Sequence, residues 1–344
     1  MISRRSVSFG AVVSIATAAL GMGAPASAQG LRVVGSGASF PFPIYSAWFK
    51  DFSKTAGGIV DYQSKGSGAG VQDLINKTVD FAASDAAMKD DEIAKVADGV
   101  LLLPMTAGKI VLTYNLPGVA DGLKLPRDVY PDIFTGKITK WNDPRLVAAN
   151  PGAKLPDMPI TVVRRSDSSG TTFVFTQHLA AISPEFKSGP GVGTTVQWAS
   201  SDKFVAAPKN DGVTATVKQT PGSIGYIEYG FAKLTKAPTA HLQNKAGTFV
   251  APTLATGQAA LAAAKLAPDL RGWVEDPEAA DAYPIVSFTW MLFYKKQDPK
   301  KAELLRNLVE YGLTKGQTVA DSMGYIPLPD PVIERVRAAA KGIQ

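Results

Sequence analysis

The sequence contains no cysteine and only two histidines, and this composition limits the kinds of site and of stabilising bond that the protein can have. Without cysteine no disulfide can form, so the fold must depend on its apolar core, whatever the redox compartment. With His178 and His241 as the only histidines, a transition-metal site is not expected, and no cofactor is predicted. His178 lies at helical spacing from Phe175 and Leu179 and is therefore interpreted as a packed structural histidine rather than a catalytic one.

The sequence also lacks a concentrated run of charge of one sign. The formal net charge is +6, and lysine and arginine are scattered along the chain. A nucleic-acid-binding protein would need a basic stripe interleaved with aromatic residues, so no nucleic-acid partner is predicted. With 344 residues, of which 45% are hydrophobic, the chain is long enough for one large or two ordinary domains with substantial cores.

The first 28 residues have the pattern of a signal peptide. Arg4-Arg5 precedes an apolar, alanine-rich stretch, and Ala26-Ser27-Ala28 offers a small-x-small cleavage site. The apolar stretch is short for a membrane anchor. We therefore predict export and cleavage before Gln29. Because Ser3-Arg4-Arg5 fits a twin-arginine signal only loosely, the export route stays open.

Strand, turn and helix patterns alternate along the rest of the chain, which is typical of an α/β protein with a parallel sheet. Apolar runs predict strands at 31–34, 59–63, 81–84, 101–104, 110–114, 160–163 and 284–294. Helical patterns cover 43–55, 89–96, 253–266, 300–313 and 332–340. We predict an α/β fold with two lobes joined by two hinge crossings and a ligand cleft between them. Lobe I comprises residues 29–108 plus 283–344, and lobe II comprises residues 109–282.

The segment from Arg164 to Phe173 is the most informative part of the sequence. It places a guanidinium, an acid, hydroxyls and a glycine between an apolar strand and a helical pattern. A helix start offers unpaired N–H donors and the positive end of the helix dipole. An arginine adds a charged fork that matches an oxyanion. The segment therefore predicts an anion-binding site.

Three further loops have a similar composition, with small hydroxyl or glycine residues between a strand and a helix. The four loops are Gly35 to Phe40, Gly66 to Gly70, Ser84 to Ala86 and Ser169 to Thr171. Ligands in open α/β sheets bind beyond the carboxyl ends of the strands, where all four loops would lie. Each loop alone is better explained by ordinary helix capping, and only the four together indicate a ligand site. Neither glycine-rich loop is a Walker A loop, so nucleotide binding is not predicted.

Asp85 bears on which anion would fit. A carboxylate repels a bound anion unless the anion itself carries a proton, and hydrogen phosphate carries one whereas sulfate does not. Losing such a hydrogen bond costs about 1–3 kcal/mol, so one side chain could exclude sulfate. The alternative is that Asp85 simply caps the helix that follows.

A secreted phosphatase or other hydrolase is a weaker alternative, raised by Ser169 beside Gly170. The nucleophile elbow requires glycine on both sides of the serine at fixed spacing, and Asp167 replaces the first glycine here. A general base is also hard to find among two histidines.

Taken together, the motifs resemble the periplasmic phosphate-binding proteins of bacterial high-affinity phosphate ABC importers. The most specific matches are Gly35 to Pro41, Val79 to Asp85 and Arg164 to Phe175, supported by 136–141, 221–229 and 328–330. The resemblance implies a periplasmic-binding-protein fold that closes on one phosphate ion. It also implies a monomeric, non-enzymatic protein of the periplasm, whose partner is the inner-membrane ABC permease.

The resemblance also implies the site residues. The implied phosphate-binding residues are Ser39, Phe40, Ser67, Asp85, Arg165, Ser169, Gly170 and Thr171. Asp85 would accept the ligand's proton, and Asp167 would hold Arg165 as its counter-ion. A binder of another oxyanion, such as sulfate or molybdate, is the alternative, and Asp85 argues against it. Residues 199–210 differ from the glycine-rich loop usual in the family, and no role is predicted for them.

Overall fold

The computed structural model of the protein describes residues 30–55 and 58–344. The predicted signal peptide lies outside these residues. The strands are β1 (Leu31–Gly37), β2 (Gly58–Ser64), β3 (Phe81–Ser84), β4 (Val100–Asn115), β5 (Lys124–Leu125), β6 (Thr161–Arg165), β7 (Phe204–Ala207), β8 (Ser223–Glu228), β9 (His241–Gln243), β10 (Phe249–Val250) and β11 (Val286–Tyr294).

The predicted helical patterns at 43–55, 300–313 and 332–340 each match a helix whose bounds differ by at most two residues. The helices are α1 (Phe42–Thr55), α2 (Ser67–Ile75), α3 (Asp90–Ile93), α4 (Tyr130–Phe134), α5 (Pro144–Ala149), α6 (Gly170–Ile182), α7 (Pro184–Ser188), α8 (Lys209–Gln219), α9 (Tyr229–Thr235), α10 (Leu254–Leu261), α11 (Pro299–Leu313), α12 (Lys315–Thr318) and α13 (Asp330–Ala340). No helix in the described ranges is long and apolar enough to cross a membrane.

An eight-stranded sheet with the order β2-β1-β3-β11-β4-β8-β6-β7 organises the fold. The outer strands on each side are parallel, as the strand–turn–helix repeats predict, with β1 between β2 and β3 and with β6 between β7 and β8. The two central strands, β11 and β4, are antiparallel to their neighbours. Within each group of parallel strands, the strands therefore end at the same edge of the sheet. The loops that follow the strands of one group lie side by side at that edge.

Strand β4 replaces the two short strands that the sequence predicts. It pairs with β11 from Val100 to Lys109 and with β8 from Ile110 to Asn115. Pro104 interrupts the apolar pattern, but the β4–β11 register shifts beside it, so its missing N–H falls at a bulge. The change of partner lies next to the predicted boundary at 108/109. The division into two lobes remains a prediction.

The turn after β3 corrects two expectations. The sequence predicts a helix over 89–96, but α3 spans only Asp90–Ile93 and none of its residues is buried. A short helix without an apolar face to bury gains little stability. The N-cap of α3 is Lys89, so the alternative that Asp85 caps a helix is wrong.

Helix α10 is likewise shorter than predicted, because the chain after Leu261 closes in i→i+3 turns.

Candidate functional site

The eight implied ligand-binding residues converge in one buried cluster. Ser39 and Phe40 follow β1, Ser67 opens α2 after β2, Asp85 follows β3, Arg165 ends β6, and Ser169, Gly170 and Thr171 form the start of α6. All eight are buried, and Arg165 is the most exposed of the seven with a side chain at 4%. Burial of this many polar groups requires that they find partners in the cluster or in a ligand.

The start of α6 packs directly against the loops that follow β2 and β3. A Cβ atom added at Gly170 would lie 2.4 Å from Ser67 Oγ and 2.7 Å from Asp85 Oδ2, so only glycine fits there. The Gly68 N–H donates to the Ser168 carbonyl over 3.1 Å, which joins the two loops at the rim of the cluster. Loops that are a hundred residues apart in sequence thus form one wall.

The helix start supplies N–H donors, as the sequence predicts. Ser169 is the N-cap of α6, and its Oγ accepts from the Thr172 N–H over 3.0 Å. The N–H groups of Gly170 and Thr171 belong to the first turn, where an α-helix provides no acceptor of its own. They lie at the positive end of the helix dipole. This end of α6 is therefore suited to hold an anion.

Arg165 is held by Asp167 through two parallel hydrogen bonds. Its Nε donates to Oδ1 over 2.8 Å and its Nη2 donates to Oδ2 over 2.5 Å. Burial alone would raise the pKa of Asp167, but the hydrogen bonds and charge of Arg165, with the Lys209 N–H, lower the pKa below its ordinary value. The remaining nitrogen, Nη1, is buried and has no hydrogen-bond partner within the described residues. An anionic ligand would satisfy it.

Asp85 lies in a different environment, with hydroxyl groups as its neighbours. Thr289 Oγ1 donates to Oδ1 over 2.8 Å, and Ser67 Oγ lies 3.5 Å from Oδ2. Burial raises the pKa of Asp85 to about 7, against the lowering effects of Thr289, the Arg165 charge, Ser67 and Thr171. A carboxylate with this pKa readily shares a proton with a ligand near neutrality.

Two residues that sequence reasoning missed complete the cluster. Thr289 is in β11, where it and Ser287 are the polar residues of a largely apolar, aromatic strand, but nothing in that pattern points to Asp85. Asn210, in the first turn of α8, is fully buried and donates to Ser39 Oγ and Thr171 Oγ1. It follows β7, whose parallel pairing with β6 brings the two strand ends together. The weak apolar pattern of β7 gave no signal for this.

His178 lies outside the cluster. It is buried in α6, with Nε2 2.6 Å from the Tyr130 hydroxyl and Nδ1 2.8 Å from the Glu275 carbonyl. Burial lowers the pKa of His178 to about 4. The interpretation of His178 as a packed structural histidine is confirmed.

A groove of about 820 Å³ lies beside the cluster. Ser67, Ser84 and Ser168 are among its lining residues, whereas Asp85 and Arg165 are not. The groove reaches the rim of the cluster and leaves its charged groups enclosed.

Residues 23–315 match the family described as the PBP superfamily domain. The sequence is 39% identical over 317 residues to the phosphate-binding protein PstS of Pasteurella multocida, covering 91% of each chain. It is also 39% identical over 318 residues to the PstS of Haemophilus influenzae, covering 91% of this chain and 94% of that protein.

Solved structures show the same fold. The chain superposes on a phosphate-bound periplasmic phosphate-binding protein, PfluDING, with a TM-score of 0.75 and 23% identity, covering 90% of this chain and 93% of that chain. A phosphate-binding protein from Stenotrophomonas maltophilia gives 0.72 at 22% identity, covering 89% and 93%. The predicted α/β periplasmic-binding-protein fold is confirmed.

Proposed function

The chain belongs to the PBP superfamily and, within it, to the phosphate-binding proteins, and we propose that it binds one inorganic phosphate ion in the buried cluster. The proposal includes delivery of the ion to the permease of a phosphate ABC importer. Phosphate binding is supported by relatives at 39% identity that carry the name phosphate-binding protein and by the geometry of the cluster.

One observation carries the proposal: the cluster contains an unpartnered cationic donor together with a carboxylate acceptor. Arg165 Nη1, buried and without a partner in the described part of the chain, calls for an anion. Asp85 is buried, and among the described residues no cation is in hydrogen-bond contact with it, so it calls for a proton donor. A hydrogen phosphate ion is both at once, because it has anionic oxygens and P–OH groups. Sulfate at neutral pH has only the first.

The remaining residues would act as donors around the anion. The Ser39 and Phe40 N–H groups and the Ser39 hydroxyl would approach from the end of β1, and the Ser67 hydroxyl from α2. The start of α6 would contribute Ser169, Gly170 and Thr171. An oxyanion without water is stable only if donors surround it, since each unpaired buried group costs several kcal/mol, by order of magnitude.

The protein would act without chemistry on the ligand, in the periplasm, after export through its cleaved signal peptide. The Ser169 hydroxyl oxygen is engaged as the cap of α6, and His178 is bound to Tyr130 and the Glu275 carbonyl. Neither arrangement matches a nucleophile paired with a base. We propose that the protein is a monomer whose macromolecular partner is the inner-membrane permease.

The test is calorimetric titration of the mature, phosphate-stripped protein with phosphate in a large excess of sulfate. We expect one-to-one binding with a sub-micromolar dissociation constant, as is common for enclosed, fully hydrogen-bonded ligands. Binding abolished by sulfate would keep the fold and overturn the selectivity. Absence of heat with either anion, together with turnover of a chromogenic phosphate ester, would favour the hydrolase instead.

A further inference from the structure

Asn210 is the polar residue of the cluster to which neither the sequence motifs nor the proposed ligand contacts assign a role. It is 0% exposed and lies in the first turn of α8. Its side chain and backbone together contact three segments that are far apart in sequence: the loop after β1, the start of α6 and the end of β8. A buried amide with this many partners determines how they are oriented.

The orientation of the Asn210 amide follows from its neighbours. Its Oδ1 lies 2.9 Å from the backbone nitrogen of Glu228, which can only donate. The oxygen must therefore face Glu228, and the Nδ2 group faces the other side. There Nδ2 lies 2.9 Å from Ser39 Oγ and 3.1 Å from Thr171 Oγ1.

Ser39 receives a second hydrogen bond from the same residue. The backbone N–H of Asn210 donates to Ser39 Oγ over 3.1 Å, in addition to Nδ2. A serine hydroxyl has two acceptor positions and one hydrogen. Because Asn210 occupies both acceptor positions, the Ser39 hydroxyl is left with its hydrogen alone and can act only as a donor.

We propose that Asn210 is a positioning residue that fixes the Ser39 hydroxyl as a hydrogen-bond donor towards the bound oxyanion. The inference rests on the proposed function, since it requires an anion in the cluster. A hydroxyl already oriented as a donor loses no rotational freedom on binding and presents no lone pair to the anion. The hydrogen bond from Nδ2 to Thr171 Oγ1 ties the same amide to the start of α6. The Ser39 hydroxyl and the donors at the start of α6 therefore keep a fixed separation.

The test reverses the polarity of the amide. In Asn210→Asp, one carboxylate oxygen can still accept from Glu228, but the other accepts the Ser39 hydrogen and withdraws it from the ligand. We expect phosphate affinity to fall by about 100-fold or more, because a hydrogen bond to a charged group is lost and a negative charge is added. In a Ser39→Ala background the same change should cost at least about tenfold less, because no hydroxyl remains to be redirected.

The double-mutant comparison separates orientation from charge and from folding. An equal loss of phosphate affinity on Asn210→Asp in both backgrounds would mean that only the added charge matters, and it would overturn the proposal. An affinity of the Asn210→Asp single variant within about threefold of wild type would overturn it as well. If Asn210→Asp fails to fold, Asn210→Ala decides instead. We expect Asn210→Ala to weaken phosphate binding about tenfold when Ser39 is present and by no more than about threefold in the Ser39→Ala background. Equal losses of affinity in the two backgrounds would overturn the proposal.

Asn244 provides a matched control. It is 1% exposed, its Nδ2 donates to the carbonyls of Ala280 and Ala282, and its Oδ1 accepts from the Thr248 N–H, all outside the cluster. Asn244→Asp should lower stability and leave phosphate affinity within about threefold of wild type. Wild-type protein is titrated first: no binding there refutes the proposed function and the inference with it, whereas normal wild-type binding with unaffected Asn210 variants refutes the inference alone.

Discussion

Asp85 and Asp167 are two aspartates beside the same helix start, and their surroundings give them opposite acid–base properties. Asp167 shares two hydrogen bonds with Arg165 and accepts a third from the Lys209 N–H, and its pKa is lowered. Asp85 is surrounded by hydroxyls, and burial raises its pKa to about 7. The first is a permanent counter-ion, whereas the second is able to take up or release a proton near neutrality.

The difference shows how one site can attract an anion and still select among anions. Asp167 orients the guanidinium without neutralising its free edge, because Nη1 stays unpartnered in the described residues. Asp85, which packs against the start of α6, requires a proton from the ligand. Attraction and selection therefore lie on different side chains, and substitutions should separate them.

Removing the cation should have the largest effect. Arg165→Ala leaves Asp85 and Asp167 facing the ligand without compensation, so we expect phosphate affinity, measured by calorimetry, to fall by roughly 3–5 kcal/mol, or about 150- to 5,000-fold. Arg127→Ala is the control, because it breaks another two-bond pair, with Asp276, away from the cluster. A loss below about 1 kcal/mol would contradict the role of Arg165 as a buried partner of the anion.

Replacing Asp85 should change selectivity more than phosphate affinity. The asparagine amide keeps the shape of the carboxylate and can donate to an unprotonated oxygen. Asp85→Asn should therefore still bind phosphate, and its affinity for sulfate should be about 10- to 100-fold higher than that of wild type. Competition titration of phosphate against sulfate measures this ratio. Asp80→Asn, at a partly buried aspartate that pairs with Lys301, is the control. Unchanged selectivity in Asp85→Asn would remove the role we give this carboxylate.

Acidification should produce a smaller effect in the same direction. Because the pKa of Asp85 is about 7, the carboxyl is mostly charged above pH 7 and mostly neutral below it, where it can donate to sulfate. We expect direct sulfate binding to strengthen about tenfold from about pH 8 to about pH 5.5 in wild type and to stay flat in Asp85→Asn. Asp167, whose pKa is lowered, stays charged throughout this range.

Thr289 allows this last expectation to be sharpened. Its hydroxyl favours the charged form of Asp85, so Thr289→Val should raise the pKa of Asp85 further and move the onset of sulfate binding to higher pH by about one unit. An onset that stays at the wild-type pH would contradict the assignment of the transition to Asp85.

Much of this arrangement could be predicted from the sequence because it depends on local pattern. Alternation of apolar strands with amphipathic helices identifies β1 to β3, and α1 buries Ile44, Tyr45 and Trp48 along the face that its periodicity predicts. The strand–helix junction at Arg165 and Ser169 identifies a helix start with donors. The structure brings all eight residues of the implied site together, and their roles as phosphate ligands remain predictions.

What the sequence could not show depends on long-range pairing. Pro104 interrupts an apolar run and suggested two strands, because the bulge that accommodates it forms only against β11. Strand β7 is short and half exposed, so its position beside β6 follows from tertiary packing alone. Asn210 meets Ser39 across 171 positions, and Thr289 meets Asp85 across 204. Neither contact leaves a local pattern.

The backbone bond from Gly68 to Ser168, at the rim of the cluster, has a consequence for timing. If the proposed ion leaves the cluster through this rim, the bond must break first, and the residence time of the ion would then be governed by a motion of the polypeptide. Release would then be first order and insensitive to the concentration of free anion outside. The protein would carry one ion per opening, and the event that parts the rim would set the rate at which each ion is handed on.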